Sequence, residues 1–179
     1  MPPAWRFGVV RGQRAWRGGL LPIKPSTFFA GKQGFLGYKP GMVETVFSRI
    51  IRGEIPCHKL YEDDQVLAFL DIAPLSPGHT LVIPKEPART LDELSPDAAA
   101  ALGRALPRIC RAVKEATECD AYNVLQNNEA EAHQAVFHVH FHIIPKPNEH
   151  KGLGIGWPAG KLDPSVASEL VDRIRNAMV

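Results

Sequence analysis

One alternating segment decides the fold of this chain, and it reads Phe137-His138-Val139-His140-Phe141-His142-Ile143-Ile144-Pro145. Successive side chains of a β-strand point to opposite faces, so an extended backbone here places all three imidazoles on one side. The intervening Val139, Phe141 and Ile143 then face the core. The segment therefore predicts a strand with one histidine face and one apolar face.

Size and composition predict a single globular domain that is soluble. A chain of 179 residues, of which 45% are hydrophobic, is large enough to bury its own core. The three cysteines, Cys57, Cys110 and Cys119, form no Cys-x-x-Cys pair, which favours a reducing compartment and argues against a thiolate zinc site. The sequence contains no run of about 18 apolar residues, so it predicts no membrane-spanning helix.

The charge distribution argues against a nucleic-acid partner. Of the 21 basic and 19 acidic residues, seven basic ones and no acidic one lie in residues 1–41, so the rest of the chain has a net charge of −5. A nucleic-acid role would therefore depend on this leader alone, because the body of the chain has no clustered basic stripe. We expect neither a nucleic acid nor a membrane among the partners.

The leader, residues 1–41, is interrupted by glycine and proline and has no clean period of 2 or 3.6 residues, so we expect it to stay outside the core. Three interpretations stay open: a mitochondrial presequence, a disordered tail, or an upstream extension of a gene whose working start is Met42. Residues 18–22 are too short an apolar run for a secretion signal. We expect an intracellular protein of the cytoplasm and nucleus, or a mitochondrial one if the leader is a presequence.

Periodicity and turn signals predict an α+β fold, with an antiparallel five- to six-stranded meander sheet, a short N-terminal helix, a longer helix on the sheet and a C-terminal helix. The predicted helices cover residues 43–52, 95–117 and 164–178. The predicted strands cover residues 58–61, 66–70, 80–83 and 121–126, followed by a polar loop at 127–134 and the histidine strand. Pro107 lies inside the second helix and removes one of its hydrogen bonds, so we expect a kink or a break into two helices there.

Three imidazoles on one face have two main chemical uses, and the residues alone do not decide between them. Histidines one residue apart on a strand can supply two metal ligands, and a third ligand would leave an open catalytic position. The alternative is nucleophilic catalysis, in which a neutral imidazole attacks an electrophile such as phosphorus. A third and weaker interpretation is a polar strand face whose histidines only form hydrogen bonds.

The histidine segment resembles the His-φ-His-φ-His-φ-φ signature, with φ an apolar residue, of the histidine triad superfamily of nucleotide hydrolases and transferases. Four further segments resemble blocks of that family in the family's order: residues 47–56, 68–72, 78–85 and 126–128. The resemblance covers residues 43–158 and implies an antiparallel sheet with packed helices, in a homodimer. It also implies three parts, namely the leader 1–41, a histidine triad domain at 42–158 and an extension with a helix at 159–179.

The implied activity is that of the branch that the sequence resembles most, the histidine triad nucleotide-binding proteins or nucleoside phosphoramidases. Residues 157–160, Trp-Pro-Ala-Gly, are similar to the Trp-Pro segment near the C-terminus of that branch. The resemblance implies hydrolysis of adenosine or other purine 5′-phosphoramidates to a monophosphate such as AMP and an amine, without a cofactor. Dinucleoside polyphosphate hydrolysis and a nucleotide-binding adaptor role stay open as alternatives.

The family's catalytic roles transfer to four histidines, one by one. The resemblance makes His140 the nucleophile that attacks the α-phosphorus and forms a nucleotidyl-histidine. In the family a backbone carbonyl near the first histidine holds the proton of the nucleophile, so His138 would act mainly through position. His142 and His79 match histidines that line the phosphate site, where they donate hydrogen bonds to phosphoryl oxygens and help the leaving group depart.

The resemblance also implies the contacts to the nucleotide. The Asp71 carboxylate would accept both ribose hydroxyls, and Asn127 matches the position that reaches the sugar-phosphate. Gln134 and Ala135 match the loop whose backbone N–H groups hold the α-phosphate. Five apolar residues would wall the base: Phe47, Ile50, Phe69, Ile72 and Leu81.

Two departures from the family affect the nucleotide-binding loop. Ala135 stands where many relatives carry a hydroxyl residue that bonds the phosphate or the leaving group, and His133 stands where they often carry glycine. The resemblance therefore does not fix the rate or the leaving-group preference. Some relatives also hold structural zinc through two cysteines and a histidine, at positions that read Thr45, Ser48 and Pro87 here, so we predict no metal.

Overall fold

The computed structural model describes residues 44–156 and 158–178, so the predictions for the leader 1–41 and for Trp157 lie outside the described residues. Three α-helices and five strands follow in the order α1 (Val46–Ile51), β1 (Lys59–Glu62), β2 (Val66–Leu70), β3 (Thr80–Pro84), α2 (Pro96–Thr117), β4 (Tyr122–Gln126), β5 (Phe141–Pro145) and α3 (Pro164–Ala177). None of the helices in these ranges combines the length and the apolar character that crossing a bilayer requires.

The five strands form one antiparallel sheet in the order β1-β2-β3-β5-β4, which confirms the predicted α+β class. The strand order is not the simple meander that we expected, because β5 lies between β3 and β4. Both β3 and β4 are antiparallel to β5 and are therefore parallel to each other, and parallel strands need a long crossover connection. The 22 residues of α2 form that crossover.

The two faces of the sheet carry separate clusters of buried side chains. On one face Val66, Val82, Val139 and Ile143 pack against α2, and Phe141 packs beside them. The predicted apolar side of the histidine segment is thus confirmed. On the other face the strands carry Leu67, Phe69, Leu81 and Ile83, which pack with Phe47 of α1.

Helix α2 starts as predicted but is not broken at Pro107. Ser95 is the N-cap, and its hydroxyl accepts the backbone N–H of Ala98. Pro107 removes the hydrogen bond to the carbonyl of Gly103, but both residues are exposed, so water can bond that carbonyl. An internal proline costs about 3 kcal/mol, whereas each large apolar side chain buried on the inner face contributes about 1.5–3 kcal/mol. Burial of that face therefore keeps α2 continuous through Pro107.

The last turn of α2 contacts the turn that leads into β3. Gly78 has φ +83°, a left-handed conformation that favours glycine, and a Cβ at this position would lie 2.4 Å from Cγ2 of Thr117. The Thr117 hydroxyl donates to the carbonyl of Val113 at 2.7 Å, which fixes the direction of its methyl group. The β2–β3 turn therefore has no room for a side chain at Gly78.

Strand β5 begins later than predicted, at Phe141 rather than Phe137, so only His142 of the three histidines lies in the sheet ladder. The pairing partners explain this start, because β3 and β4 both reach Phe141 as their last register position. Before it, the chain is held from outside the sheet, since the N–H of Val139 donates to the carbonyl of Ala88 at 2.8 Å. The alternation of faces nevertheless continues back through Val139, which is fully buried.

Helix α3 is amphipathic, as its sequence predicts. Asp163 is its N-cap, and the Asp163 carboxylate accepts the backbone N–H of Ser165 at 2.9 Å. The apolar residues of one face are all about half exposed: Val166, Leu170, Val171 and Ile174.

Candidate active site

The three histidines of the segment lie side by side, and a backbone carbonyl fixes the proton of the middle one. His138 is 2% exposed, and its Nε2 donates to the carbonyl of Pro84 at 2.9 Å. The carbonyl of His138 in turn accepts a hydrogen bond from Nδ1 of His140 at 2.7 Å. A carbonyl only accepts, so the proton of neutral His140 resides on Nδ1 and the lone pair on Nε2. His140 therefore has the tautomer that a nitrogen nucleophile needs.

Phe47 supports the two buried imidazoles from the side of α1. Its ring meets the rings of His138 and His140 edge to face, at centroid separations of 6.1 and 5.2 Å. It also packs against Phe69 of β2 at 5.8 Å. Helix α1 can place Phe47 here because Thr45 and Ser48 form a capping box at its start, in which each side chain accepts the other's backbone N–H. These two positions are the ones at which some relatives carry zinc-binding cysteines, and here they cap a helix.

His79 and His142 form a second pair whose tautomers are fixed by a backbone group. The N–H of Leu75 donates to Nδ1 of His79 at 3.2 Å, so the proton of neutral His79 must reside on Nε2. This Nε2 lies 2.9 Å from Nδ1 of His142 and 3.6 Å from Oδ2 of Asp71. His79 therefore donates to Nδ1 of His142, which leaves the proton of His142 on its Nε2. His142 is thus set as a hydrogen-bond donor, and its ring lies next to that of His140, at a centroid separation of 4.9 Å.

Burial keeps all four histidines neutral near pH 7. It lowers the pKa of His138 and of His140, although the bond that each donates to a carbonyl opposes this shift. Burial also lowers the pKa of His79, against the attraction of the Asp71 carboxylate. The pKa of His142 falls to about 4, because burial is reinforced by repulsion from His140 and His79. The tautomers deduced above are therefore the working forms of these rings.

Within residues 44–156 and 158–178, one group of side chains has the spacing of a metal site, namely Asp71, His79 and His142, whose ligand atoms lie within 4.8 Å of one another. A neutral imidazole binds a metal through an unprotonated nitrogen while its other nitrogen carries the proton. Nδ1 of His79 already accepts the N–H of Leu75, so Nε2 carries the proton and presents no lone pair. This bond opposes metal binding at the cluster and favours the use of His79 as a proton donor.

The loop that follows β4 carries the predicted phosphate-binding residues and is held by its own hydrogen bonds. The buried side chain of Gln134 anchors it, because Nε2 donates to the carbonyl of Arg89 at 2.6 Å and Oε1 accepts the N–H of Glu129 at 2.7 Å. The backbone N–H of Gln134 donates to the carbonyl of Glu129 at 3.0 Å. Asn127 reaches the carbonyl of His133 at 3.5 Å. Ala135 is exposed.

Two residues of this loop hold conformations that favour glycine. His133 has φ 67° and ψ 26°, and Glu129 has φ 69° and ψ 163°, a region that is almost restricted to glycine. The Glu129 carboxylate forms a two-point ion pair with Arg89, which also stacks over the ring of Phe137 at 4.1 Å. The histidine at position 133, where relatives often carry glycine, is therefore held in a left-handed backbone conformation. Glu129 is a second non-glycine residue with a positive φ, and the sequence did not indicate it.

The structure brings most of the predicted site residues to one face of the sheet. His142 and Leu81 are register partners on β5 and β3, so the histidines and the second apolar cluster share a face. Four of the predicted base-wall residues belong to that cluster or pack against it: Phe47, Ile50, Phe69 and Leu81. Ile72 does not, because its side chain is 94% exposed. Asp71 joins the histidines through His79, while one of its oxygens accepts the N–H of Ala73 at 2.9 Å.

Comparison with known proteins identifies the family of this chain. The family model of the HIT domain matches residues 52–149. The chain belongs to the HIT family. Adenosine 5′-monophosphoramidase hnt1 of Schizosaccharomyces pombe is 52% identical over 129 residues, which are 72% of this chain and 94% of that protein. Adenylylsulfatase HINT3 of Arabidopsis thaliana is 52% identical over 103 residues, 58% of this chain and 52% of that protein.

Among solved structures, a hypothetical protein from Leishmania major resembles this HIT protein with a TM-score of 0.71 and 49% sequence identity, over 75% of this chain and 95% of that one. Its similarity extends the agreement from the signature to the fold of the domain. The side chains that the signature contributes were readable from the sequence. The backbone groups that set their protons, namely the N–H of Leu75 and the carbonyls of Pro84 and His138, carry no such signal.

Proposed function

We propose that this HIT protein hydrolyses adenosine or other purine 5′-phosphoramidates to AMP-type monophosphate and amine, through a nucleotidyl-histidine and without a metal. The observation that carries the proposal is the bare Nε2 of His140, set by the hydrogen bond from Nδ1 to the carbonyl of His138. The activity named for the relative from Schizosaccharomyces pombe supports the same reaction.

The first half-reaction transfers the nucleotide to His140. The Nε2 lone pair attacks the α-phosphorus, the new P–N bond forms, and the bond from phosphorus to the leaving nitrogen breaks. The leaving nitrogen takes the proton from Nε2 of His142, so that it departs as a neutral amine. His142 can recover a proton at Nδ1 from Nε2 of His79, 2.9 Å away. The pair is then one proton short, and its negative charge is balanced by the positive charge that the new P–N bond places on the His140 ring.

The second half-reaction returns the enzyme to its starting state. A water molecule attacks the phosphorus of the nucleotidyl-histidine, the bond to Nε2 of His140 breaks, and the monophosphate leaves. The proton that water loses goes to the pair of His142 and His79, where it replaces the proton that was given to the amine. The reaction consumes one water and releases one amine, which balances without any other reactant.

The nucleotide contacts are part of the proposal. The free oxygen of Asp71 and Asn127 would bind the ribose and sugar-phosphate, and Gln134, Ala135 and His133 would border the α-phosphate. The N–H of Gln134 already has an acceptor in Glu129, so the N–H of Ala135 is the better candidate for a bond to the phosphate. The base would lie against the apolar cluster of Phe47, Ile50, Phe69 and Leu81, with Ile72 at its exposed edge.

Adenylyl sulfate is a second candidate substrate, favoured by the name of the relative from Arabidopsis thaliana. Sulfate leaves as a stable anion and needs no proton, whereas an amine needs one. His142→Asn should therefore slow phosphoramidate hydrolysis about a hundredfold and adenylyl sulfate hydrolysis far less. Equal losses on both substrates would contradict the assignment of His142 as the proton donor.

The deciding experiment compares adenosine phosphoramidate, adenylyl sulfate and diadenosine polyphosphates in the presence of a chelator. We expect turnover of the phosphoramidate at a rate that the chelator does not change. Preference for a diadenosine polyphosphate would favour the alternative hydrolase. Turnover of none of them, with intact nucleotide binding, would favour the adaptor role and overturn the proposal.

We also propose that the protein is a homodimer joined through the edge strand β4. This edge strand carries Tyr122 and Val124, which are 39% and 47% exposed. An edge strand with unpaired backbone groups and exposed apolar side chains can pair with a strand of a second molecule. Val124→Arg should convert the dimer into a monomer in sedimentation analysis. Leu60→Arg, on the opposite edge strand β1, is the matched control and should leave the dimer intact.

The domain organisation and the location complete the proposal. Residues 42–158 would form the HIT domain, with the leader 1–41 before it and the extension 159–179 after it. The protein would reside in the cytoplasm and nucleus, in agreement with three free cysteines, or in mitochondria if the leader directs it there. Fractionation of cells that express the tagged full chain, compared with a chain that starts at Met42, distinguishes the two locations.

A further inference from the structure

The turn between β2 and β3 carries His79 at its end and is tied to the body of the protein by a buried hydroxyl. Ser76 is 4% exposed, and its Oγ donates to the carbonyl of Pro145 at 2.5 Å. A second tie is weaker, because the N–H of Gly152 donates to the carbonyl of Leu75 at 3.3 Å. The hydroxyl of Ser76 therefore ties this turn to β5, while the hydroxyl of Thr80, which donates to the carbonyl of Gly78 at 2.9 Å, ties it to β3.

The carbonyl of Pro145 is available to Ser76 because β3 ends before it. The register position of β3 nearest to the turn pairs Thr80 with Ile143, so Pro145 extends beyond β3 on that side. Pro145 is almost completely buried, and a buried carbonyl without a partner costs about 1–3 kcal/mol. Ser76 satisfies this carbonyl and in doing so fixes the distance between the turn and β5.

Two hydrogen bonds connect the anchored turn to His79. The carbonyl of Ser76 accepts the backbone N–H of His79 at 3.1 Å, and the N–H of the preceding Leu75 donates to the ring nitrogen Nδ1 of His79 at 3.2 Å. On its other side the ring contacts Nδ1 of His142 at 2.9 Å. His142 and Pro145 both belong to β5, so the bonds run from that strand through the turn and His79 back to the same strand.

We infer that Ser76 is a positioning residue for the proposed reaction: its hydroxyl holds the N–H of Leu75 against His79, which sets the tautomer of His79 and, through it, the donor proton of His142. This inference rests on the proposed function for its kinetic part. Its structural part, the tautomer of His79, is independent of any substrate.

Loss of the hydroxyl has a consequence that simple loosening of a turn would not have. Without Leu75 N–H held at Nδ1, His79 can carry a proton there, either as the other neutral tautomer or as the cation. Asp71, 3.6 Å from Nε2, and His142 are the titratable groups that face this ring. The Asp71 carboxylate favours the cation, so the pKa of His79 rises when the hydroxyl is removed.

The test uses Ser76→Ala together with the matched pair Ser76→Thr and Ser76→Val in the full chain. Thr and Val have nearly the same shape, so any packing penalty is common to both and only the hydroxyl differs. Imidazole ¹⁵N NMR should show the Nε2–H tautomer of His79 in the wild type and Ser76→Thr. In Ser76→Ala and Ser76→Val we expect a mixture of tautomers and a higher pKa of His79.

The kinetic readout is the leaving group. For adenosine phosphoramidate, kcat of Ser76→Ala and Ser76→Val should fall about tenfold with little change in KM, and Ser76→Thr should retain most of the rate. For a substrate whose leaving group needs no proton, the same variants should lose little. Asp63→Ala, which breaks the hydrogen bonds of Asp63 to the backbone of the β1–β2 turn, controls for general destabilisation and should leave the His79 spectrum unchanged.

The outcomes separate this inference from the proposed function. An unchanged His79 spectrum in both Ser76→Ala and Ser76→Val would overturn the inference even if the enzyme is an active phosphoramidase. A shifted spectrum that Ser76→Thr restores would support it even if no phosphoramidate is hydrolysed. Loss of kcat that Ser76→Thr does not restore, with an unchanged spectrum, would assign Ser76 a structural role and contradict the inference.

Discussion

The histidine cluster and the loop of residues 129–135, which the proposed function assigns to one site, are built in opposite ways. His79, His138 and His140 are each less than 5% exposed, and hydrogen bonds fix the protons of their rings. In the loop, by contrast, Glu129 and His133 are exposed and hold backbone conformations that suit glycine. Protonation states are therefore fixed in the buried cluster, while backbone strain is concentrated in the loop.

This difference separates two properties of an enzyme. In the proposed reaction the cluster would determine whether hydrolysis can proceed, because its hydrogen bonds set the protons of the nucleophile and the proton donor before substrate arrives. The loop, which would border the phosphate in the proposed complex, is anchored by the buried side chain of Gln134. We expect changes in the cluster to affect kcat and changes in the loop to affect stability and substrate preference.

The largest effect is expected from removal of the proposed nucleophile, His140. His140→Ala should reduce phosphoramidate turnover by about a thousandfold or more, because the proposed covalent intermediate forms on Nε2 of this residue. Binding of AMP, measured by calorimetry, should change little. His140→Asn is the matched control, because its amide can still donate to the carbonyl of His138 without a nucleophilic nitrogen, and it should be equally inactive. Substantial turnover by either variant would contradict the covalent route.

A second effect concerns the dependence of stability on pH. The pKa of His142 is about 4 in the folded protein and near 6.5 in the unfolded chain, so the unfolded chain binds more protons between these values. The contribution of His142 to the free energy of unfolding is therefore fully present above pH 6.5, and the free energy should fall by on the order of 2–3 kcal/mol as pH decreases to about 4. Urea unfolding at pH 7 and pH 4.5 measures this loss. His142→Asn should reduce the dependence, and an identical pH profile in the variant would contradict the assignment.

A third effect tests the strain in the loop. Glu129→Gly removes the ion pair with Arg89 and relaxes the backbone, whereas Glu129→Ala removes the pair and retains the strain. The exposed pair contributes less than about 1 kcal/mol, while a residue in this glycine region costs about 1–3 kcal/mol. Glu129→Gly should thus be about 1–2 kcal/mol more stable than Glu129→Ala in urea unfolding. Equal stabilities would show that the loop is not strained at this residue.

The smallest effect is expected at His133. Its φ of 67° and ψ of 26° lie in the left-handed helical region, where a non-glycine residue costs about 1 kcal/mol. His133→Gly should therefore raise the free energy of unfolding by about 0.5–1 kcal/mol. A matched His133→Ala variant should not. If both variants change stability equally, the side chain and not the backbone is responsible.

The sequence predicted the elements of the fold better than their arrangement. Alternation and helix caps are local signals, and they located the strands and the start of α2 at Ser95. No local signal specifies which strands are neighbours, so the insertion of β5 between β3 and β4 was not predictable from strand patterns. Of the kink or break expected at Pro107, the break into two helices was wrong, because burial of the opposite face of α2, a tertiary effect, outweighs one lost hydrogen bond.

The candidate site shows the same limit. Its chemically distinctive side chains stand out in a sequence, because few other purposes require three alternating histidines. Leu75, Pro84 and Ser76 do not stand out, since two of them act through the backbone and the third is a common residue in a turn. The catalytic roles of these residues stay predictions. The hydrogen bonds specify the ring nitrogen on which each histidine must carry its proton to perform its role.

The contact between Gly78 and the methyl group of Thr117 links two distant positions of the sequence. Because the Thr117 hydroxyl fixes that methyl against the turn, a larger residue at 78 requires a smaller one at 117, such as serine. In evolutionary terms, the two positions should vary together among proteins of this family rather than independently. The residue at position 117, threonine or a smaller one, would then indicate whether position 78, in the turn that holds His79, carries glycine or a larger residue.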